Sequence, residues 1–142
     1  MEVTGGALMS LFISCVVLIQ AQHQLEDEIY KLKRHQLECI EETRVDPDMV
    51  MRVKKGKFQN KPDVLLKMWT LCTLMKSGLM TPQGVYKFDN ALSRVPKQDA
   101  ELVGKQIDKC LSKKAIPPVD IAYNFVKCYN KIKTNYTLVS II

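Results

Sequence analysis

The sequence predicts an all-α domain of six helices, and three observations carry that expectation. Apolar residues return at three- and four-residue steps through most of the chain, the period of a helix with one buried face. Strand-like alternation is absent outside the tail Thr134–Ile142, and no internal repeat occurs. The third observation is Val64–Met80, VLLKMWTLCTLMKSGLM, which holds ten Val, Leu, Met and Trp residues besides Cys72, and only two charges, Lys67 and Lys76. Apolar on every side, it predicts a buried helix about 25 Å long. Such a helix is too short and too charged at its edges to cross a bilayer, so the rest of the chain must wrap it.

At the N-terminus, Ala7–Ile19 is an uncharged run of thirteen residues ending near Gln20-Ala21. Its length fits the apolar region of a secretory signal peptide, with Ala21 small enough to precede cleavage. A membrane anchor is the other reading, for which the run is short. Residues 1–21 are therefore set apart from the fold, and residues 22–142 form one domain by length. Removing Glu2 raises the net charge from +6 to +7.

In Leu25–Glu42, the residues Leu25, Ile29, Leu32, Gln36 and Cys39 or Ile40 line one face of a first helix. A second helix runs from about Asp48 to Lys55, with Asp46 as N-cap, Pro47 in the first turn and Gly56 as stop. The helix Val64–Met80 is third, with Asn60 and Pro62 at its start and Gly78 as a C-terminal signal. Thr81-Pro82-Gln83-Gly84 is a turn. Val85–Ser93 is a short fourth helix, with Val85, Phe88 and Leu92 on one side, closed by Pro96, and Gln98–Lys114 is a fifth, with Leu102 or Val103, Ile107 and Cys110 or Leu111 inside. After the extended Ala115–Pro118, Asp120 caps a sixth helix carrying Ile121, Phe125, Cys128 or Tyr129, and Ile132 inward. The tail ends in Leu138-Val139-Ser140-Ile141-Ile142, too apolar to hang free, and should fold back onto the body.

Enzyme chemistry finds little support. His35 and Cys39 lie four apart on one helix, but a disulfide-bonded cysteine is no nucleophile. Only His23 remains as a further histidine, so no metal site forms around this pair. Phosphate loops, HExxH and GxSxG are absent, and no cofactor is implied. Arg52, Lys54, Lys55 and Lys57 form the densest basic cluster, without interleaved aromatic residues. That pattern describes a solvated loop after a helix rather than a nucleic-acid surface. Asn135-Tyr136-Thr137 is a glycosylation sequon at Asn135. Four cysteines remain after the leader, Cys39, Cys72, Cys110 and Cys128, and an even count in a small exported chain reads as a disulfide framework. Three pairings are open to four cysteines. A central helix mixing Met and Leu could wall a cavity or fill a core.

The cysteine spacing, Cys39-x32-Cys72-x37-Cys110-x17-Cys128, resembles that of the insect odorant-binding protein family, the pheromone-binding and general odorant-binding proteins. That family has six cysteines, three residues separating the second and third and eight separating the fifth and sixth. Projected onto this chain, the two absent cysteines fall at Met68 and Val119. They are partners in the family, so the chain is similar to its four-cysteine, "minus-C" subgroup. The signal peptide, the helix count and KMWTLC-x5-GLM match as well, so the resemblance spans essentially the whole chain.

The resemblance implies disulfides Cys39–Cys72 and Cys110–Cys128 and a central apolar cavity for a small hydrophobic ligand, with no catalysis. It assigns Leu66, Thr70 and Leu74 of the third helix to the cavity wall, with Val103 and Ile107 of the fifth and Phe125, Val126 and Tyr129 of the sixth. Ile29 and Phe88 are added from the first and fourth. Thr70 and Tyr129 are the polar groups able to orient a ligand oxygen. The implied protein is a secreted extracellular carrier of odorants, pheromones or similar semiochemicals, monomeric or weakly dimeric, with an olfactory receptor or an acidic surface as partner. The net charge departs from a family whose members are often acidic. A non-olfactory carrier of lipids or hormones, or a cationic secreted protein acting at membranes or proteins, stands as the alternative. His23 and His35 give little basis for acid-triggered release.

Overall fold

A computed structural model describes residues 5–132 and 136–142, so the sequon Asn135 lies outside the described residues. The chain divides into a first unit that ends at Lys31 and a second, Leu32–Ile142. Among the described residues there are six α-helices and no strand. They are α1 (Gly5–Thr43), α2 (Pro47–Lys54), α3 (Val64–Lys76), α4 (Phe88–Leu92), α5 (Ala100–Cys110) and α6 (Pro118–Asn130). Short 3₁₀ turns occupy Lys97–Asp99 and Thr137–Val139.

The first helix is longer than the amphipathic stretch alone predicts. Gln20-Ala21-Gln22-His23-Gln24 contains neither Gly nor Pro, so nothing breaks the backbone between the apolar run and Leu25. In the first unit Leu8, Phe12, Val16 and Ile19 are all more than half exposed. By length and composition alone α1 could cross a membrane, and a signal sequence passes the same test.

The other boundaries follow local chemistry. Arg44, at φ 61°, turns the chain out of α1. The Asp46 carboxylate accepts the Asp48 N–H at 2.9 Å to cap α2, with Pro47 first in the helix. Asp63, rather than Asn60, caps α3 through the Leu65 N–H at 2.6 Å. This helix ends at Lys76, four residues earlier than the apolar run, because Gly78 adopts φ +71°. Leu79 and Met80 stay buried beyond it, and Met80 bridges to Tyr86 in a single antiparallel pair. The turn between them needs Gly84 twice over. Its φ is +83°, and a Cβ there would sit 2.9 Å from Ile121 Cδ1 and 3.2 Å from Pro118 Cα. Both α4 and α5 are shorter than expected. Val85 and Tyr86 are extended, and Lys97–Asp99 forms a 3₁₀ turn before α5. Pro118, not Asp120, opens α6.

The core of the second unit is built where α3, α5 and α6 meet, with α3 most closely packed on α6. Trp69, Phe125, Tyr129, Leu66, Leu74 and Ile107 are essentially inaccessible. The expectation that α3 is buried all round needs correction. Val64, Met68 and Met75 are 56, 41 and 37% exposed. These three recur on one side of the 100° helical wheel, so a side that composition could not single out faces solvent. Lys67 and Lys76 are placed in ion pairs, Lys67 with Asp120 of α6 at 2.8 Å and Lys76 with Glu42 of α1 at 2.8 Å.

Candidate functional site

Disulfides link Cys39 to Cys72 and Cys110 to Cys128. The first fixes the Leu32–Thr43 part of α1 to α3, and the second fixes α5 to α6. All four helical segments that meet in the core therefore have covalent partners as well as packed neighbours. Helices held this way present their inner stripes to one another in fixed register.

Those stripes bring most of the expected wall residues together. Leu66, Leu74, Val103, Ile107, Phe125, Val126 and Tyr129 belong to one cluster, each 1% exposed or less, and Thr70 of α3 is equally buried. Phe88 packs on the edge of this cluster, its ring 5.4 Å from that of Tyr86 and set edge-on. Ile29 lies in the first unit and is not among them. The Thr70 hydroxyl donates to the Leu66 carbonyl at 3.0 Å, so its proton is committed to the preceding turn. It can still accept a hydrogen bond from a ligand hydroxyl.

Sequence reasoning did not single out Tyr86. Its ring lies 4.8 Å from Phe125, which in turn lies 5.7 Å from Tyr129, forming an aromatic wall from the turn after α3 to the C-terminal end of α6. The usable signal was the two-residue step from Tyr86 to Phe88 in a stretch read as helix.

The tail closes over this region, as its apolar composition predicts. Val139, Ser140 and Ile141 are 0, 2 and 1% exposed. Among the described residues, four side chains hold it. Tyr136 donates to Asp99, Arg94 donates to the Leu138 carbonyl at 3.2 Å, Tyr86 to the Val139 carbonyl at 2.7 Å, and Gln36 to the Ile141 carbonyl at 2.8 Å. Ile141 adopts φ 71°, a left-handed conformation that costs a β-branched residue about 1–3 kcal/mol and persists only where the surroundings enforce it.

The Tyr86–Val139 bond makes the tail sensitive to alkali. Burial first, then the neighbouring Tyr129, hold the Tyr86 phenol above its ordinary value, against a smaller downward pull from Arg94. A folded-state pKa raised in this way gives stability that is complete below the unfolded value of about 10 and is lost as pH rises through the folded one. Stability is therefore expected to fall above about pH 10. Tyr86→Phe should remove about 1–3 kcal/mol at neutral pH, since the Val139 carbonyl is left unpaired, and should flatten the alkaline decline. Urea unfolding of both proteins between neutral pH and about pH 11 checks this; parallel pH profiles would discount the bond.

A model of the PBP/GOBP family matches residues 21–132. The chain belongs to this family. Its members are soluble secreted carriers of small hydrophobic molecules rather than enzymes. The chain is 29% identical over 126 residues to the B1 protein of Tenebrio molitor, an alignment covering 87% of this chain and 94% of that one. It is similar to the crystal structure of the medfly odorant-binding protein CcapOBP22/CcapOBP69a. There the TM-score is 0.57 and the identity 27%, with 78% of this chain and 92% of the other covered. The Locusta migratoria odorant-binding protein lmigOBP1 shares the fold, at a TM-score of 0.60 and 22% identity over 79% of this chain and 87% of that one. The PBP/GOBP match stops at Ile132, before the tail.

Proposed function

We propose that the protein is a secreted carrier that takes small hydrophobic molecules, such as odorants, pheromones or other semiochemicals, into an apolar cavity. The cavity lies between α3, α5, α6 and the tail. One observation carries this reading: stripes from three separate helices, together with the tail, converge on a single buried region that is mostly aliphatic and aromatic, with Thr70, Tyr86 and Tyr129 among its polar side chains. Such a lining binds by apolar burial, at about 25 cal/mol per Å², with one or two hydrogen bonds setting orientation. Micromolar affinity, about −8 kcal/mol, is the expected scale.

Residues 1–21 act as a removable signal peptide in this reading. The exposed apolar side chains from Leu8 to Ile19 and the unpaired, exposed Cys15 support it, as does the start of the family match at residue 21. The chain further represents the four-cysteine form of the family, with Met68 and Val119 at the positions of the absent pair.

The test is displacement of a fluorescent apolar probe, followed also through Trp69, the only tryptophan, whose buried indole N–H donates to the Gln36 carbonyl at 3.0 Å. Saturable one-site displacement by volatile-sized alcohols, aldehydes or esters is the expected result. Absence of displacement, with salt-sensitive association with anionic vesicles instead, would replace the carrier by a cationic surface-binding protein.

A further inference from the structure

A second concave apolar surface lies outside the buried cluster. The α1–α2 turn, Arg44–Asp46, sets the last part of α1 beside α2 and leaves between them a groove of about 320 Å³. That volume is at the small end of small-molecule pockets, about 300–1,000 Å³. Its apolar walls are Leu37 and Ile40 from α1 and Val50 and Met51 from α2. Leu37 is 64% and Met51 49% exposed. A single exposed leucine is ordinary, but two large apolar side chains across a shared concavity are not. The floor is fixed: Val50 is 2% exposed, and Gln36, at 5%, is bonded to the Ile141 carbonyl.

Two cations complete the groove, Lys33 on α1 and Lys54 on α2. Each lies seven residues from the groove residue nearest the turn, Ile40 on α1 and Pro47 on α2. At about 1.5 Å per residue that is roughly 10 Å along its helix, which places both at the end of the groove away from the turn. Nearby bases on α1 are paired, Lys31 with Glu28 at 3.0 Å and Arg34 with Glu38 at 3.4 Å. Neither Lys33 nor Lys54 has an ion-pair partner among the described residues.

We propose that this groove is a second binding site, for a single-chain anionic amphiphile such as a fatty carboxylate. Its chain lies between Leu37, Ile40, Val50 and Met51, and its head group meets Lys33 and Lys54. None of these residues belongs to the proposed cavity, so the two sites stand or fall separately. A concave wall with its charges at one end fits one extended molecule with a charged terminus better than it fits a flat lipid surface.

The experiment uses the full chain labelled with ¹³C in its methionine methyl groups. Met51 reports the groove and Met80, 2% exposed, reports the buried region. Met51→Leu assigns the first resonance. Titration with dodecanoate below its micelle concentration is expected to move Met51 saturably, with weakening as salt rises. Dodecanol, and the double variant Lys33→Gln/Lys54→Gln titrated with dodecanoate, should each bind about fivefold or more weakly. Both lysines are exposed, and an unmoved Met80 in the double variant shows that the fold is retained. A Met51 signal that stays still, or moves equally for dodecanol and for the double variant, overturns the proposal. A response of Met80 alone would place binding in the buried region only. A Met51 response confined to anionic phosphatidylglycerol vesicles would make the groove a membrane contact instead.

Discussion

Reducing both disulfides is expected to lower the melting temperature by on the order of 25 °C. The bridges close stretches 33 and 18 residues apart in sequence, and chain-entropy estimates give roughly 3–4 kcal/mol for each. Their sum, about 7 kcal/mol, is comparable to the whole stability of a small domain, about 5–15 kcal/mol. At this size 1 kcal/mol corresponds to about 4 °C. The two bonds should not yield equally. Cys39 is 0% and Cys110 7% exposed, and the Cys39–Cys72 bond is further shielded by Lys76, which reaches both Glu38 and Glu42 of α1, at 3.4 and 2.8 Å. Reductant should therefore open Cys110–Cys128 first. Calorimetry with and without reductant, and mass mapping of alkylated cysteines at partial reduction, measure both effects. A fully reduced protein that melts within about 5 °C of the oxidised one would show that packing alone holds the fold.

That outcome bears on how much the sequence could reveal. Periodicity located the first, fourth, fifth and sixth helices, an unbroken apolar run the third and capping signals the second, and capping chemistry located a helix end where it spoke alone, as at Asp46-Pro47. It failed where signals overlapped. The run Val64–Met80 is apolar throughout, so composition could not show that Gly78 would stop the helix while Leu79 and Met80 remained in the core. Nor could it show that Val64, Met68 and Met75 would face solvent. The buried stripe Val103–Ile107 and the residues Phe125 and Tyr129 were legible because one face of each helix is polar, whereas Val126 came only from the family resemblance. Tyr86 was not, because a two-residue step in a short segment competes with a helical reading of the same residues. The groove between α1 and α2 was illegible for a different reason. Lys33 and Leu37 look like an ordinary helix surface until α2 is laid beside them, and no local pattern encodes that juxtaposition.

The pair Met68→Cys/Val119→Cys is expected to form a third disulfide, raise the melting temperature and narrow the range of ligands bound. The geometry next to these positions favours the bond. Lys67 and Asp120, their immediate neighbours, meet at 2.8 Å, which holds the first half of α3 against the first turn of α6. Met68 is 41% exposed and Val119 half-buried, so neither replacement opens a large cavity. Closing a loop of about fifty residues is nominally worth about 4 kcal/mol, whereas a partly exposed ion pair contributes about 1 kcal/mol or less and weakens with salt. In the present chain, then, α3 and α6 are joined there by packing and by Lys67–Asp120. These helices carry six of the buried residues proposed to wall the cavity: Leu66, Thr70, Leu74, Phe125, Val126 and Tyr129. If slack between them lets the cavity adapt, the new bond should cost affinity for the largest ligands while sparing the smallest. Probe displacement across a homologous alcohol series, run beside thermal melts, reads both quantities. A raised melting temperature with an unchanged size profile would mean that the slack resides elsewhere. The tail, anchored by Tyr86 and Gln36 rather than by a covalent bond, would then be the wall that moves.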